Sequence, residues 1–169
     1  MLKIGITGHQ YFKNLKNTSD VESQLRTEIS KMSKISSAFS SLAIGSDQLF
    51  AKVILEMNID LIAVIPCCNY KRTFKKSGLK TYRRILEKCK DKETLNFKSP
   101  SQEAFFEAGK TIVDKSDILF AVWDGKVSKG WGGTGDVVRY AIDIQKPIVH
   151  LNPWTAKIET HNYETSKII

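Results

Sequence analysis

Residues 117–125 read Asp117-Ile118-Leu119-Phe120-Ala121-Val122-Trp123-Asp124-Gly125; after the link Lys126-Val127-Ser128-Lys129 comes Gly130-Trp131-Gly132-Gly133-Thr134-Gly135-Asp136. The apolar, β-prone run Ile118 to Trp123 between two aspartates is the pattern of a strand buried on both faces. Beyond the glycines, Val137, Val138, Ala141 and Ile142 recur at helical spacing. Strand, glycine-rich loop and helix in this order make a main-chain site for phosphate or another anion. Glycine lets N–H groups approach the ligand, and the helix start adds about half a positive charge. Gly132, Gly133, Thr134 and Gly135 are assigned to the anion, and Trp131 beside them to stacking on a base. Trp123, inside the strand, is assigned to the core.

The same alternation extends in both directions. Leu2 to Thr7 reads as a first strand that ends in Thr7-Gly8-His9. A helix is expected from about Thr18, capped by Ser19 or Asp20, with Val21, Leu25, Ile29 and Met32 as its apolar stripe. Ser40 to Ile44 reads as the second strand. Gly45-Ser46-Asp47 then opens a helix carrying Leu49, Phe50, Val53, Ile54 and Met57, with Ser46 and Asp47 as its expected caps. Ile59 to Ile65 is a third strand closed by Pro66. A basic segment, 67–78, leads to a helix with Leu79, Tyr82, Leu86 and Cys89 on one face. A polar turn, 91–93, precedes a short strand, Thr94 to Phe97. The helix after Ser99-Pro100-Ser101 turns Phe105, Ala108, Gly109, Ile112 and Val113 inward, and Ile148 to Leu151 is the last strand. Strands alternating with helices imply a three-layer α/β sandwich, with a mostly parallel sheet and helices on both faces. Ligands bind such sheets beyond the carboxyl ends of the strands, where all the special turns fall.

Composition bounds the function. The chain has 169 residues, 41% hydrophobic and 26% charged, as expected of one globular domain. Residues 1–152 are read as that domain and 153–169 as a C-terminal tail, with Trp154 at the sheet edge. No signal peptide or membrane span is read, so the expected location is the cytoplasm. The net charge of +8 favours anionic partners. Its densest patch, from Lys71 and Arg72 to Arg83 and Arg84, suits a polyphosphate or, less favoured, nucleic acid. Cys67, Cys68 and Cys89 are read as reduced, packed thiols. His9, His150 and His161 are scattered; neither a metal nor a cofactor is assigned.

Thr7-Gly8-His9, Gly45-Ser46-Asp47 with Phe50-Ala51, Pro66, and Ser116-Asp117 through Trp123-Asp124-Gly125 to Gly132-Gly133-Thr134 together resemble the SLOG superfamily. It includes the LOG-like phosphoribohydrolases, the DprA-type DNA-processing proteins and nucleotide-sensing domains of bacterial defence systems. The resemblance covers residues 2–151 and implies a Rossmann-like domain that binds a nucleotide or nucleotide derivative; such domains often pair, so a homo-oligomer is an expectation. The LOG-type enzymes and the similar deoxyribosyltransferases carry Gly-Thr-x-x-Glu. Here Gly133-Thr134 matches, but the Glu position holds Val137, whose isopropyl group can neither attack an anomeric carbon nor stabilise an oxocarbenium-like cation. The reading favoured is therefore a sensor or carrier of a small nucleotide-like anion, with ADP-ribose and NAD-related compounds as candidates. Thr7, Gly8 and His9 form one wall, Gly45, Ser46 and Asp47 the floor, and Lys71 and Arg72 the cover; Asp124 and Gly125 complete the rim. The alternative is an N-glycosidase acting on a nucleoside monophosphate, with Asp136 or Asp124 in the carboxylate role; the second alternative is binding of single-stranded DNA.

Overall fold

The computed structural model describes residues 1–128 and 130–162. The strands are β1 (Leu2–Gly8), β2 (Ile35–Ser40), β3 (Asp60–Ile65), β4 (Asp91–Thr94), β5 (Ile118–Val122), β6 (Ile148–Leu151) and β7 (Ile158–His161). The helices are α1 (Leu15–Ser30), α2 (Ser46–Glu56), α3 (Lys76–Leu86), α4 (Gln102–Lys115) and α5 (Thr134–Asp143). One sheet runs in the order β4-β3-β2-β1-β5-β6-β7, parallel except for the antiparallel β6–β7 pair. It is the mostly parallel sheet of a three-layer Rossmann-like α/β fold.

Two apolar cores sandwich the sheet, because successive strand residues point to opposite faces. Ile118, Phe120 and Val122 of β5 pack with Val21, Leu25 and Ile29 of α1 and with Phe50, Val53 and Ile54 of α2. Leu119 and Ala121 pack with Ala108, Ile112 and Val113 of α4 and with Val137, Val138 and Ala141 of α5. β1 lies at the centre, bonded to β2 on one side and to β5 on the other. The chain runs outward from β1 to β4, then crosses back to β5, so the topological switch point falls between β1 and β5. At its carboxyl end Gly8 stands in register with Val122.

Several element limits differ from the sequence reading. α1 starts at Leu15, not near Thr18; its cap is Asn14, whose Oδ1 accepts the Asn17 N–H at 2.9 Å, rather than Ser19 or Asp20. β2 precedes the expected 40–44. Its serines hide it from a hydropathy reading, while the more apolar stretch after it leaves the sheet at Leu42, whose φ is +58°. Ser46 and Asp47 do not cap α2 through their side chains. The Ser46 hydroxyl donates to the His9 carbonyl, and the Asp47 carboxylate accepts from Ser40 and Ser41. Ser77 and Gly78 lie within the first turn of α3 instead of preceding it, and Cys89 follows its end. β4 is 91–94, not 94–97: this polar edge strand pairs with Ile62 to Ile65 of β3, and Phe97 packs beyond it. Phe105 and Ile142 are 37% and 42% exposed, outside the cores. Residues 158–161, read as part of the tail, form β7. The rest of that tail, 163–169, lies outside the described residues. No helix among the described residues is long and apolar enough to cross a membrane.

Candidate functional site

A cleft of about 790 Å³ opens over the carboxyl ends of the parallel strands at the switch point. Thr7, Gly8 and His9 line it at the end of β1, Asp47 at the start of α2, and Asp124 after β5. Trp131, Gly132, Gly133, Thr134 and Gly135 form the facing wall. Turns far apart in sequence therefore meet at one opening.

His9 is held from both sides. Its N–H donates to the Val122 carbonyl at 2.9 Å, and its carbonyl accepts the Ser46 N–H and hydroxyl at 3.1 and 2.7 Å. The ring stacks on Trp154 with 6.2 Å between centroids and 13° between planes. Nε2 lies 3.1 Å from the Asp124 N–H and 3.2 Å from Asp124 Oδ1. The two contacts alternate with protonation: a bare nitrogen accepts the N–H, and a protonated one donates to the carboxylate. Burial alone would raise the Asp124 carboxyl, but the Lys126 N–H and the His9 ring hold it below the usual carboxylate value. His9 and Asp124 are thus a hydrogen-bonded acid–base pair at the cleft mouth.

Asp47 forms the floor. Its carboxylate accepts the Ser40 hydroxyl at 3.0 Å and the Ser41 N–H at 2.9 Å, beside an almost solvent-free wall that includes Tyr70. Burial dominates these bonds and pushes its pKa up to about 6. Gly45 has φ +83°, and a Cβ there would sit 2.3 Å from the Gln10 carbonyl oxygen, so only glycine joins the second strand's exit loop to α2 at this point.

The glycine loop is braced by its own aspartate. Asp136 Oδ2 accepts the N–H groups of Gly132 at 2.9 Å and Gly133 at 3.3 Å, the reciprocal arm of a capping box. The Asp136 N–H in turn donates to the Ser128 hydroxyl at 3.1 Å. Gly132 has φ +85°, and a Cβ there would lie 2.4 Å from the Gln102 carbonyl oxygen, which brings the loop hard against the start of α4. The next two N–H groups, of Thr134 and Gly135, have no acceptor among the described residues, nor has the Thr134 hydroxyl. They are the part of the helix start that remains for an anion.

Other residues named from the sequence lie elsewhere. Gly45 faces a second groove, Ser46 is buried beneath His9, and Gly125 is an exposed turn residue with φ +81° outside the cleft. Lys71 and Arg72 are exposed on the short 3-10 turn Tyr70–Thr73 and do not line the cleft; Tyr70, Thr73 and Phe74 do. Asp136 lies behind the loop it braces. Trp123, expected in the core, is half-buried and lines the cleft, with its indole N–H on the Lys126 carbonyl at 2.8 Å. Residues missed from the sequence include Ser128, Lys126, Gln102 and Trp154. Their only sequence signal was proximity to a turn at the end of a strand, which for Trp154 is Asn152-Pro153, and Gln102 lacked even that.

By sequence, the chain matches no protein-family model and no curated protein. By structure it is similar to DNA processing protein A from Helicobacter pylori, for which a single-stranded DNA binding mode is described (TM-score 0.63, 18% identity, 94% of this chain and 68% of that one). It is similar as well to DNA processing protein A from Streptococcus pneumoniae (TM-score 0.64, 15% identity, 90% of this chain), spanning 50% of that protein's length. A third similar structure is the molybdenum cofactor binding protein from Rippkaea orientalis (TM-score 0.56, 15% identity, 89% of this chain and 76% of that one). The sheet order, the switch-point cleft and these likenesses together show that the chain shares a Rossmann-like α/β fold with these proteins.

Proposed function

We propose that the chain binds a small nucleotide-like anion in the switch-point cleft, as a sensor or carrier. The observation that carries this reading is the start of α5, where the Thr134 and Gly135 N–H groups have no acceptor among the described residues and both residues line a cleft with aromatic walls. A phosphate accepts those N–H groups and the Thr134 hydroxyl. Trp131, 53% exposed and backed by Phe106 at 5.3 Å between centroids, offers a face to a base. Similar folds that bind a molybdenum cofactor or single-stranded DNA support a ligand with phosphate and an aromatic ring system. ADP-ribose and NAD-related compounds remain the first candidates, residues 1–152 together with Trp154 carry the site, and the cytoplasm is its expected location.

The His9–Asp124 pair favours a second reading, N-glycosidic cleavage of a nucleotide, because it places an acid–base couple at the cleft mouth. Asp136 does not suit the carboxylate role, since two loop N–H groups already occupy it.

The test is thermal stability against AMP, ADP, ATP, ADP-ribose, NAD, cyclic nucleotides and an oligonucleotide, with chromatography of each hit. An upward shift with the ligand recovered intact supports a sensor or carrier. Recovery as base plus sugar phosphate, abolished by Asp124→Asn, establishes the glycosidase. A shift with the oligonucleotide alone replaces both by DNA binding.

A further inference from the structure

Away from the cleft, β6 and β7 pair with His150 opposite Glu159 and Ile148 opposite His161. Residues two apart on a strand share a face, so Glu159 and His161 stand on the same side as His150. One donor atom from each of the three residues lies within 4.8 Å of the other two.

The buried member carries the argument. His150 Nε2 lies 2.8 Å from the Trp123 carbonyl oxygen. A carbonyl only accepts, so Nε2 holds the proton, and in the neutral ring Nδ1 presents its lone pair. That Nδ1 faces Glu159 Oε2 at 3.6 Å. A lone pair opposite a carboxylate oxygen needs a cation between them, either a second ring proton or a metal ion. An imidazole whose other N–H is tied to a main-chain carbonyl is how proteins fix and aim a metal-binding histidine. His161 stacks alongside at 5.9 Å between ring centroids, and Glu159 is exposed, so ions reach the cluster from solvent.

We propose that His150, Glu159 and His161 form a binding site for a divalent transition metal of the zinc class. His150 Nδ1, a Glu159 oxygen and a His161 ring nitrogen are its ligands, with a fourth position open to water. Two imidazoles and one carboxylate suit zinc, whereas calcium and magnesium take oxygen ligands. Bonds of about 2.0–2.2 Å place tetrahedral ligands roughly 3.4 Å apart. Rotation of Glu159 and His161 about an immobile His150 closes that gap. None of the three lines the cleft, so the site stands whether or not the cleft binds a nucleotide. The two are neighbours through Trp123, whose carbonyl orients His150 and whose ring is 5.3 Å from it.

The experiment is calorimetric titration of the metal-free full chain with Zn²⁺, repeated on Glu159→Gln, His161→Ala and Cys68→Ser, with a visible spectrum of the Co²⁺ form. One equivalent of Zn²⁺ is expected to bind. Glu159→Gln and His161→Ala should each weaken binding about tenfold or more, Cys68→Ser should leave it unchanged, and the Co²⁺ spectrum should lack sulfur charge-transfer bands. No saturable Zn²⁺ binding, equal affinity in both ligand variants, or a sulfur band would overturn the site and leave a protonated His150 paired with Glu159.

Discussion

Asp47 shows at the residue scale how a site group is tuned by its surroundings. Its folded-state pKa, about 6, lies above the ordinary carboxyl value of 3.8, so the folded protein holds this proton more tightly than the unfolded chain. Its contribution to stability is therefore greatest below about pH 4 and is lost as pH rises to about 6, by on the order of 3 kcal/mol. Asp124 acts in the opposite sense: its depressed carboxyl contributes stability above the usual carboxylate range, which is lost as pH falls. Urea denaturation of wild type and Asp47→Asn at several pH values from about 4 to 7 separates the two. The variant should gain stability relative to wild type as pH rises through that window; a constant difference would mean that Asp47 titrates as an exposed carboxyl. At the same scale, Trp131→Ala should weaken the cleft ligand by about 1–3 kcal/mol if a base stacks there. Unchanged affinity by calorimetry would move the base to another wall. Trp131 was legible as a cleft residue because it stands among the loop glycines. Trp154 was not, because its partner His9 is 145 positions away in the chain.

At the element scale, α5 and its loop behave as one unit. Asp136 accepts two loop N–H groups, and Ser128 caps the Asp136 N–H. Asp136→Ala should cost about 1–2 kcal/mol, seen as a lower thermal midpoint, because it strands two part-buried donors. Asp136→Asn keeps one acceptor, removes a negative charge beside the anion seat, and should leave binding of a phosphate-bearing ligand as tight as in wild type or tighter. Loss of turnover in a chain that otherwise cleaves nucleotides would instead return Asp136 to the chemistry. Helices with long apolar stripes were legible because one face carries the periodicity. The caps were less so: Asn14, Ser128 and Asp136 earn their roles from where the backbone turns, and several polar residues near each helix start qualify by type. β2 illustrates the converse, since Ser37 and Ser40 are buried in a strand that hydropathy alone passes over.

Across the whole molecule, stability concentrates at the sheet centre. β1 and β5 are flanked by strands and covered by helices on both faces, whereas β4 and β7 form the edges. Native-state hydrogen exchange should be slowest for amides of Ile4, Ile6, Leu119 and Phe120 and fast in β4 and β7. Equal protection at centre and edge would contradict this arrangement. The sequence by itself determined the α/β class, the mostly parallel sheet and the loops that meet at its carboxyl rim, because buried parallel strands need continuous apolar runs and tight turns need glycine. It also marked Val137 as a departure from an enzymatic carboxylate. Only the tertiary structure decided that Asp136 braces the loop, that Lys71 and Arg72 stay outside the cleft, and that His150, Glu159 and His161 share one face. The physical reason is that these outcomes depend on side-chain direction, strand register and competition among acceptors, which exist only after residues distant in the chain have been brought together.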